Sequence, residues 1–243
     1  MILELDAGNS RIKWRILHEG ESAAAGAAMS LQELAAQLHG QQMTEVRRLR
    51  VASVRGREFA GELEAMVRHT WQLLPEFAVV SRQAAGVTNA YEDPVALGVD
   101  RWLAMLAAFH RTGSACCVLD CGSAITYDWL NSRGEHQGGY IVPGMQLMRQ
   151  SLAKKTQALE IAFEDWGEPV PGKSTRAAIG NGILAMVCGF AEHCRQETSR
   201  ASGGADVRWF LTGGDAKVVG RHLGHEHAIV ADLVLDGLAL VLP

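Results

Sequence analysis

The sequence predicts an α/β protein made of two similar domains. Short apolar strand-like runs alternate with amphipathic helical runs along most of the chain. A strand, an Asp-x-Gly turn and a second strand occur near the start and again near the middle, which suggests a duplicated unit. With 243 residues, 48% of them hydrophobic, the chain is long and apolar enough to bury a core in each half. The expected division is residues 1–115 and 116–243.

Residues 2–5 and 12–17 read as strands around DAGNSR, and residues 21–29 add a third to complete an opening meander. Ser30-Leu-Gln-Glu33 has the form of a capping box, and the LQELAAQL run behind it is an amphipathic helix. Residues 50–54 predict a strand, 58–71 a helix and 77–81 another strand. Residues 100–110 form a strongly apolar helix closed by Gly113, and ACCVLD after it is a buried strand of the kind found at the centre of a sheet. There the chain begins again. LELDAGNSRIKW (residues 3–14) and VLDCGSAITYDW (residues 118–129) share strand, Asp-x-Gly, strand and a closing Trp. A turn at NSRG precedes GGYIVPG. Then come a helix from Met145, a long helix over about 174–197, the strand VRWFLTGGD, a short helix to Leu223, and a last strand and helix to Leu242.

A formal charge of −4 gives no basic footprint for nucleic acid, and no run of like charges forms a tail. The opening MILELDAGNS has no basic region before an apolar stretch, and no segment reads as the roughly 18 apolar residues of a membrane span. The expected location is the cytoplasm, without nucleic-acid or membrane partners. Five cysteines without a CxxC pattern read as buried free thiols.

An Asp at a strand end followed by Gly places a carboxylate beside exposed backbone N–H groups, because Gly permits a tight turn and the close approach of an anion. That combination suits a phosphate tail with its cation. Asp6 would hold Mg²⁺ or its waters, the N–H groups of Gly8, Asn9 and Ser10 would take phosphate oxygens, and Lys13 would add charge. The plainer alternative is an Asx turn that satisfies only local backbone groups. A second such turn at Asp120, and a third Gly-rich turn in LTGGD (residues 211–215), favour an ATP site between two domains.

DAGNSRIKW, GVDRW (residues 98–102), DCGSAITYD, GGYIVPGM, the Gly-Lys-Ser-Thr helix start and LTGGDA follow one another in an order that resembles the type III pantothenate kinase family over residues 2–240. The resemblance implies two RNase H-like domains of the acetate and sugar kinase, Hsp70 and actin superfamily, with the nucleotide in the interdomain cleft. It implies ATP contacts from Asp6, Ala7, Gly8, Asn9, Ser10, Arg11, Ile12, Lys13 and Ser123, and a pantothenate site of Tyr91, Gly98, Val99, Asp100, Arg101 and Thr175. Asp100 would be the catalytic base; read alone, it is a helix N-cap. Arg101 would pair with the pantothenate carboxylate, a task that suits a guanidinium fork. Tyr91 would close over the substrate; read alone, it is a half-buried loop anchor. Asp120 would bind a monovalent cation, K⁺ or NH₄⁺, and the active form would be a homodimer, with the helices after Asp100 and Thr175 as candidates for its interface. Ser123 stands where the family usually carries Thr. It keeps the hydroxyl and loses the methyl, so the departure is expected to show in affinity. The alternative function is a non-catalytic regulator on the same fold.

GEPVPGKST (residues 167–175) matches the P-loop pattern. Yet Pro169 and Pro171 remove two N–H donors from the loop, and the apolar IAF before it is separated by EDW, a poor strand-to-loop junction. The better reading is a connection whose Ser174 or Thr175 caps the long helix, with Lys173 adding positive potential. His222, His225 and His227 lack the spacing of a metal site on a helix and read as a solvated loop.

Overall fold

The computed structural model describes residues 1–40, 46–155 and 166–243. The chain packs as two compact units, one of Met1–Ala107 with Asp232–Pro243 and the other of Ala108–Ala231. The expected single division after residue 115 differs from this, because the last segment returns to the first unit.

In the first unit β1 (Ile2–Ala7), β2 (Ile12–His18) and β3 (Glu21–Ala28) form the antiparallel meander, and β4 (Arg48–Ser53) and β5 (Pro75–Phe77) add in parallel. The order is β3-β2-β1-β4-β5. Leu3, Leu5 and Ala7 alternate onto one face and bury against Leu34 and Leu38 of α1 (Leu31–Gly40) and Leu63 and Val67 of α2 (Arg57–Trp71). The capping box forms with a shift of one residue. Ser30 Oγ accepts from Glu33 N–H at 3.1 Å, while the Glu33 carboxylate accepts from Met29 N–H at 2.7 Å rather than from Ser30.

The strand expected over residues 77–81 ends at Phe77. Ala78 N–H still donates to Val51 O at 2.8 Å, after which the chain turns into a small hairpin of β6 (Gln83–Ala84) and β7 (Val87–Thr88). A 3₁₀ turn at Pro94–Ala96 then leads to α3 (Val99–Thr112), whose last residues belong to the second unit.

The second unit repeats the plan. β8 (Cys116–Cys121), β9 (Ala124–Leu130) and β10 (His136–Pro143) are antiparallel, and after α4 (Met145–Lys155) and α5 (Thr175–Ala201) the parallel strands β11 (Arg208–Thr212) and β12 (Ala228–Ile229) flank α6 (Ala216–Gly220). The order β10-β9-β8-β11-β12 matches the first sheet strand for strand. The matching Trp residues are not equivalent, however. Trp14 lies opposite Leu5, the residue before Asp6, whereas the residue opposite Leu119, before Asp120, is Tyr127. Among the described helices α5 alone is long and apolar enough to cross a membrane, whereas the sequence predicts no such segment. Its Ile183, Leu184, Val187, Ala191 and Cys194 face the core of this unit, so one face of the helix is buried there.

The last helix, α7 (Leu233–Val241), packs on β1 and β4 of the first sheet. It meets the side of β1 that carries Glu4. The Glu4 carboxylate is fully buried between its two cross-strand neighbours: Arg15 on β2 donates to it at 2.6 and 2.9 Å and Arg50 on β4 at 3.1 Å. Arg15 then reaches Asp236 on α7 at 2.7 Å, so the network ties the C-terminal helix to the central strand. Removing one member of such a network leaves uncompensated buried charge, which costs about 3 kcal/mol or more. Glu4→Gln is therefore expected to lower the unfolding free energy by about 3 kcal/mol in urea titrations, and a loss below about 1 kcal/mol would show that solvent screens the two arginines.

Candidate active site

The first Asp-x-Gly turn closes where Ala7 pairs with Ile12, and Asp6 lies opposite Lys13. Asn9, Ser10 and Arg11 are exposed, and Asp6, Gly8 and Lys13 are half-buried. The side chains of Ala7 and Ile12 are in the core, so at those two positions only the backbone can meet a ligand. Gly8 does not adopt positive φ, and a Cβ there would meet only Arg11 O at an ordinary 3.6 Å. The turn therefore forms without the positive φ that would require a glycine here. The Gly8 carbonyl is taken by Arg55, whose Nε donates to Gly8 O at 2.7 Å while the guanidinium lies 4.8 Å from the Phe59 ring centroid.

A second group forms at the start of α3. Asp100 lies in the first helical turn rather than at the N-cap, and Gly98 O accepts from Trp102 N–H at 3.0 Å. Asp100 Oδ1 accepts from Arg101 N–H at 2.8 Å, and a Cβ built on Gly98 would fall 2.6 Å from that oxygen. Glycine at 98 thus leaves the space that the carboxylate fills.

Arg101, 7% exposed, donates from Nη1 to the Tyr91 hydroxyl at 2.9 Å. Tyr91, Gly98, Val99, Asp100 and Arg101 therefore form one cluster. The loop bearing Tyr91 is fastened by Arg82, which donates to the carbonyls of Asn89 at 3.1 Å and of Tyr91 and Glu92 at 2.6 Å. Asn89 Oδ1 also accepts from Tyr91 N–H at 2.9 Å. Neither Arg82 nor Arg55 was expected, since an isolated arginine that grips carbonyls leaves no pattern in a sequence.

In the second unit Asp120 is the last residue but one of β8. Ser123 is exposed, and its carbonyl accepts from Gly144 N–H at 3.1 Å, which fastens the end of GGYIVPG to the turn. The LTGGD turn lies on the same spot. Gly213 has φ +90°, and a Cβ there would fall 2.4 Å from Asp120 Oδ1 and 2.5 Å from Cys121 O. Asp215 N–H donates to Cys121 O at 2.9 Å. Two of the three expected turns thus converge on Asp120, with carboxylate and carbonyl oxygens close together.

The cysteines are free, and all but half-buried Cys188 are fully buried. Burial pushes the thiols of Cys117 and Cys194 up to about 12, so they stay protonated at neutral pH.

The P-loop match does not build a phosphate cradle. Its IAF prelude lies outside the described residues; Val170 O accepts from Asn181 of α5 at 2.9 Å, and Ser174 caps α5 by accepting from Ala177 N–H at 3.2 Å. Thr175 is exposed in the first turn of α5, and no hydrogen bond among the described residues ties it to the Asp120 turn. The histidine loop is less solvated than expected. The His225 ring packs edge-on to Trp209 at 4.8 Å with both nitrogens buried, and burial holds its pKa below the usual histidine value. Among the described residues no three His, Cys, Asp or Glu side chains gather as a metal cage.

A sequence profile of type III pantothenate kinase matches residues 2–197. The chain is 42% identical over 253 residues to a type III pantothenate kinase of Pseudomonas paraeruginosa, with 100% of this chain and 99% of that one covered. It is 39% identical over 251 residues to one from Pseudomonas putida, with the same shares covered. A Baf-family protein of Campylobacter jejuni has a similar structure, with TM-score 0.59 at 18% identity and 98% and 96% of the two chains covered. So does the activator of the 2-hydroxyisocaproyl-CoA dehydratase from Clostridium difficile, solved with ADPNP, with TM-score 0.54 at 11% identity and coverage of 98% and 92%. These two likenesses concern the fold.

The crowding at Gly98 is directly testable. Gly98→Ala pushes the Asp100 carboxylate aside without touching the core, so turnover should fall about 100-fold, the cost of a displacement near 1 Å, at an unchanged melting temperature. Wild-type turnover in this variant would mean that the Asp100 position is not critical.

Proposed function

Because the chain belongs to the type III pantothenate kinase family, and so phosphorylates pantothenate with ATP in coenzyme A biosynthesis, we propose that Asp100 is the base that accepts the proton of the 4′-hydroxyl as it attacks the γ-phosphate. Arg101 binds the pantothenate carboxylate, and Tyr91 covers the substrate. The observation that carries this reading is the cluster at the start of α3, where Asp100 fits into the space left by Gly98 and Arg101 is already bonded to Tyr91. In phosphoryl transfer the protein mainly positions groups and neutralises charge, and a preformed cluster of this kind does both.

The turn from Asp6 to Lys13 takes the ATP phosphates, with Asp6 serving the Mg²⁺ that arrives with the nucleotide, and Ser123 contacts the nucleotide from the second turn. Thr175 at the start of α5 adds a hydroxyl to the pantothenate site. The oxygens of Asp120 and Cys121 beside Gly213 form an oxygen-only donor set, which suits a hard monovalent cation, K⁺ or NH₄⁺. Such a cation would neutralise this crowded set of oxygens when bound.

The enzyme works in the cytoplasm as a homodimer. Tyr140 and Ile141 on β10, Leu147 on α4 and Met186 on α5 are large apolar side chains exposed in the second unit, an arrangement that fits a subunit interface. Ile141→Asp is expected to shift the sedimentation coefficient from dimer to monomer, and a monomeric wild-type protein would refute the dimer.

The catalytic reading is tested by a coupled ADP-release assay with ATP, Mg²⁺ and pantothenate. Asp100→Asn should lose at least about 100-fold in turnover while staying folded, and substantial residual activity would remove Asp100 from the role of base. Replacing K⁺ or NH₄⁺ with Na⁺ should abolish pantothenate-dependent release, and full activity in Na⁺ would refute the cation role of Asp120.

A further inference from the structure

Arg55 follows β4 and reaches across to the first Asp-x-Gly turn. Three contacts hold it there: its backbone N–H donates to Ser53 Oγ at 3.2 Å, its guanidinium lies over Phe59, and Nε donates to Gly8 O at 2.7 Å. The neighbouring backbone joins the same turn, since Val54 N–H donates to Ala7 O at 3.3 Å. Residues 8–11 lie outside the β1/β2 ladder, so strand pairing does not set the orientation of the Gly8–Asn9 peptide. Gly8 also has no Cβ to restrict rotation of that unit. The bond to Arg55 supplies the missing restraint.

In a trans peptide the C=O and the following N–H point in opposite directions. Fixing Gly8 O towards Arg55 therefore aims Asn9 N–H to the opposite side of the peptide from Arg55; Asn9 is exposed and its N–H has no hydrogen-bond partner among the described residues. We infer that Arg55 is a positioning residue for the kinase reaction: it locks the Gly8–Asn9 peptide so that Asn9 N–H faces the nucleotide phosphates. This rests on the reading of residues 8–10 as the phosphate loop. Without Arg55 the peptide can flip and present its carbonyl oxygen to an anion, replacing a donor with a repulsive dipole.

The test compares Arg55→Met, Arg55→Gln and Arg55→Lys by steady-state kinetics in both substrates, by melting temperature, and by equilibrium binding of ATP and of adenosine. Losing one hydrogen bond to a charged phosphate corresponds to about tenfold in affinity. Arg55→Met should raise the KM for ATP about tenfold and weaken ATP binding to match, while adenosine binding, the KM for pantothenate and the melting temperature stay near wild type. Arg55→Gln, whose amide can still donate to Gly8 O, should recover part of the loss.

Recovery by Arg55→Lys but not by Arg55→Gln would assign the effect to charge and overturn the positioning role. A fall in melting temperature with uniform loss in all parameters would make Arg55 merely structural and overturn it as well. Lys13→Ala separates this inference from the reading beneath it. If Lys13→Ala weakens ATP and Arg55→Met does not, the loop binds phosphate and Arg55 does not aim it. If neither variant affects ATP, the phosphate loop reading fails and takes the inference with it.

Discussion

The fully buried carboxylate of Glu4 is the constraint on which the first unit depends. It lies on the central strand with an arginine directly opposite on each neighbouring strand, and the three charges satisfy one another only in that register. A slip of one residue would turn Glu4 into the apolar core and leave Arg15 and Arg50 facing each other without it. Side chains alternate along a strand, so the register that seats Glu4 also sets Asp6 on the same face two residues later, at the strand end. The stabilising network and the proposed phosphate turn are thus two outcomes of one alignment.

A different kind of charge holds the loops. Arg82 and Arg55 donate to main-chain carbonyls, so their bonds fix the path of the backbone. Arg82 shapes the segment that brings Tyr91 to Arg101, and Arg55 seizes the turn after Asp6. A guanidinium suits this work because its donors are rigidly arranged and it remains charged at any physiological pH. Bonds of this kind restrict a loop, and restricting a binding loop reduces the entropy that binding must overcome.

Much of this was legible in the sequence because it depends on local chemistry. The alternation of strands and helices, the two Asp-x-Gly turns and the unsuitability of two prolines in a phosphate cradle are properties of a few adjacent residues, and the two sheets do share one strand order. What escaped depends on residues far apart in the chain. The pairing of Trp14 with Trp129 across the repeat was coincidental, since register rather than residue type decides equivalence. The strand expected after Phe77 had suitable β-branched residues, but it gave way to a hairpin pinned by Arg82. The burial of His225 against Trp209 and the link from Arg15 to Asp236 join segments whose proximity only the folded chain reveals.

The return of the last helix to the first sheet also governs the order in which the protein can be completed during synthesis. The first unit needs α7 to cover Glu4 and Arg15, and α7 is translated only after the whole of the second unit. The second unit is continuous and is fully translated before that helix. The usual N-terminal-first sequence of domain folding is therefore reversed here. The half that starts first is completed second, and a chain lacking α7 would leave the charged face of the first unit uncovered.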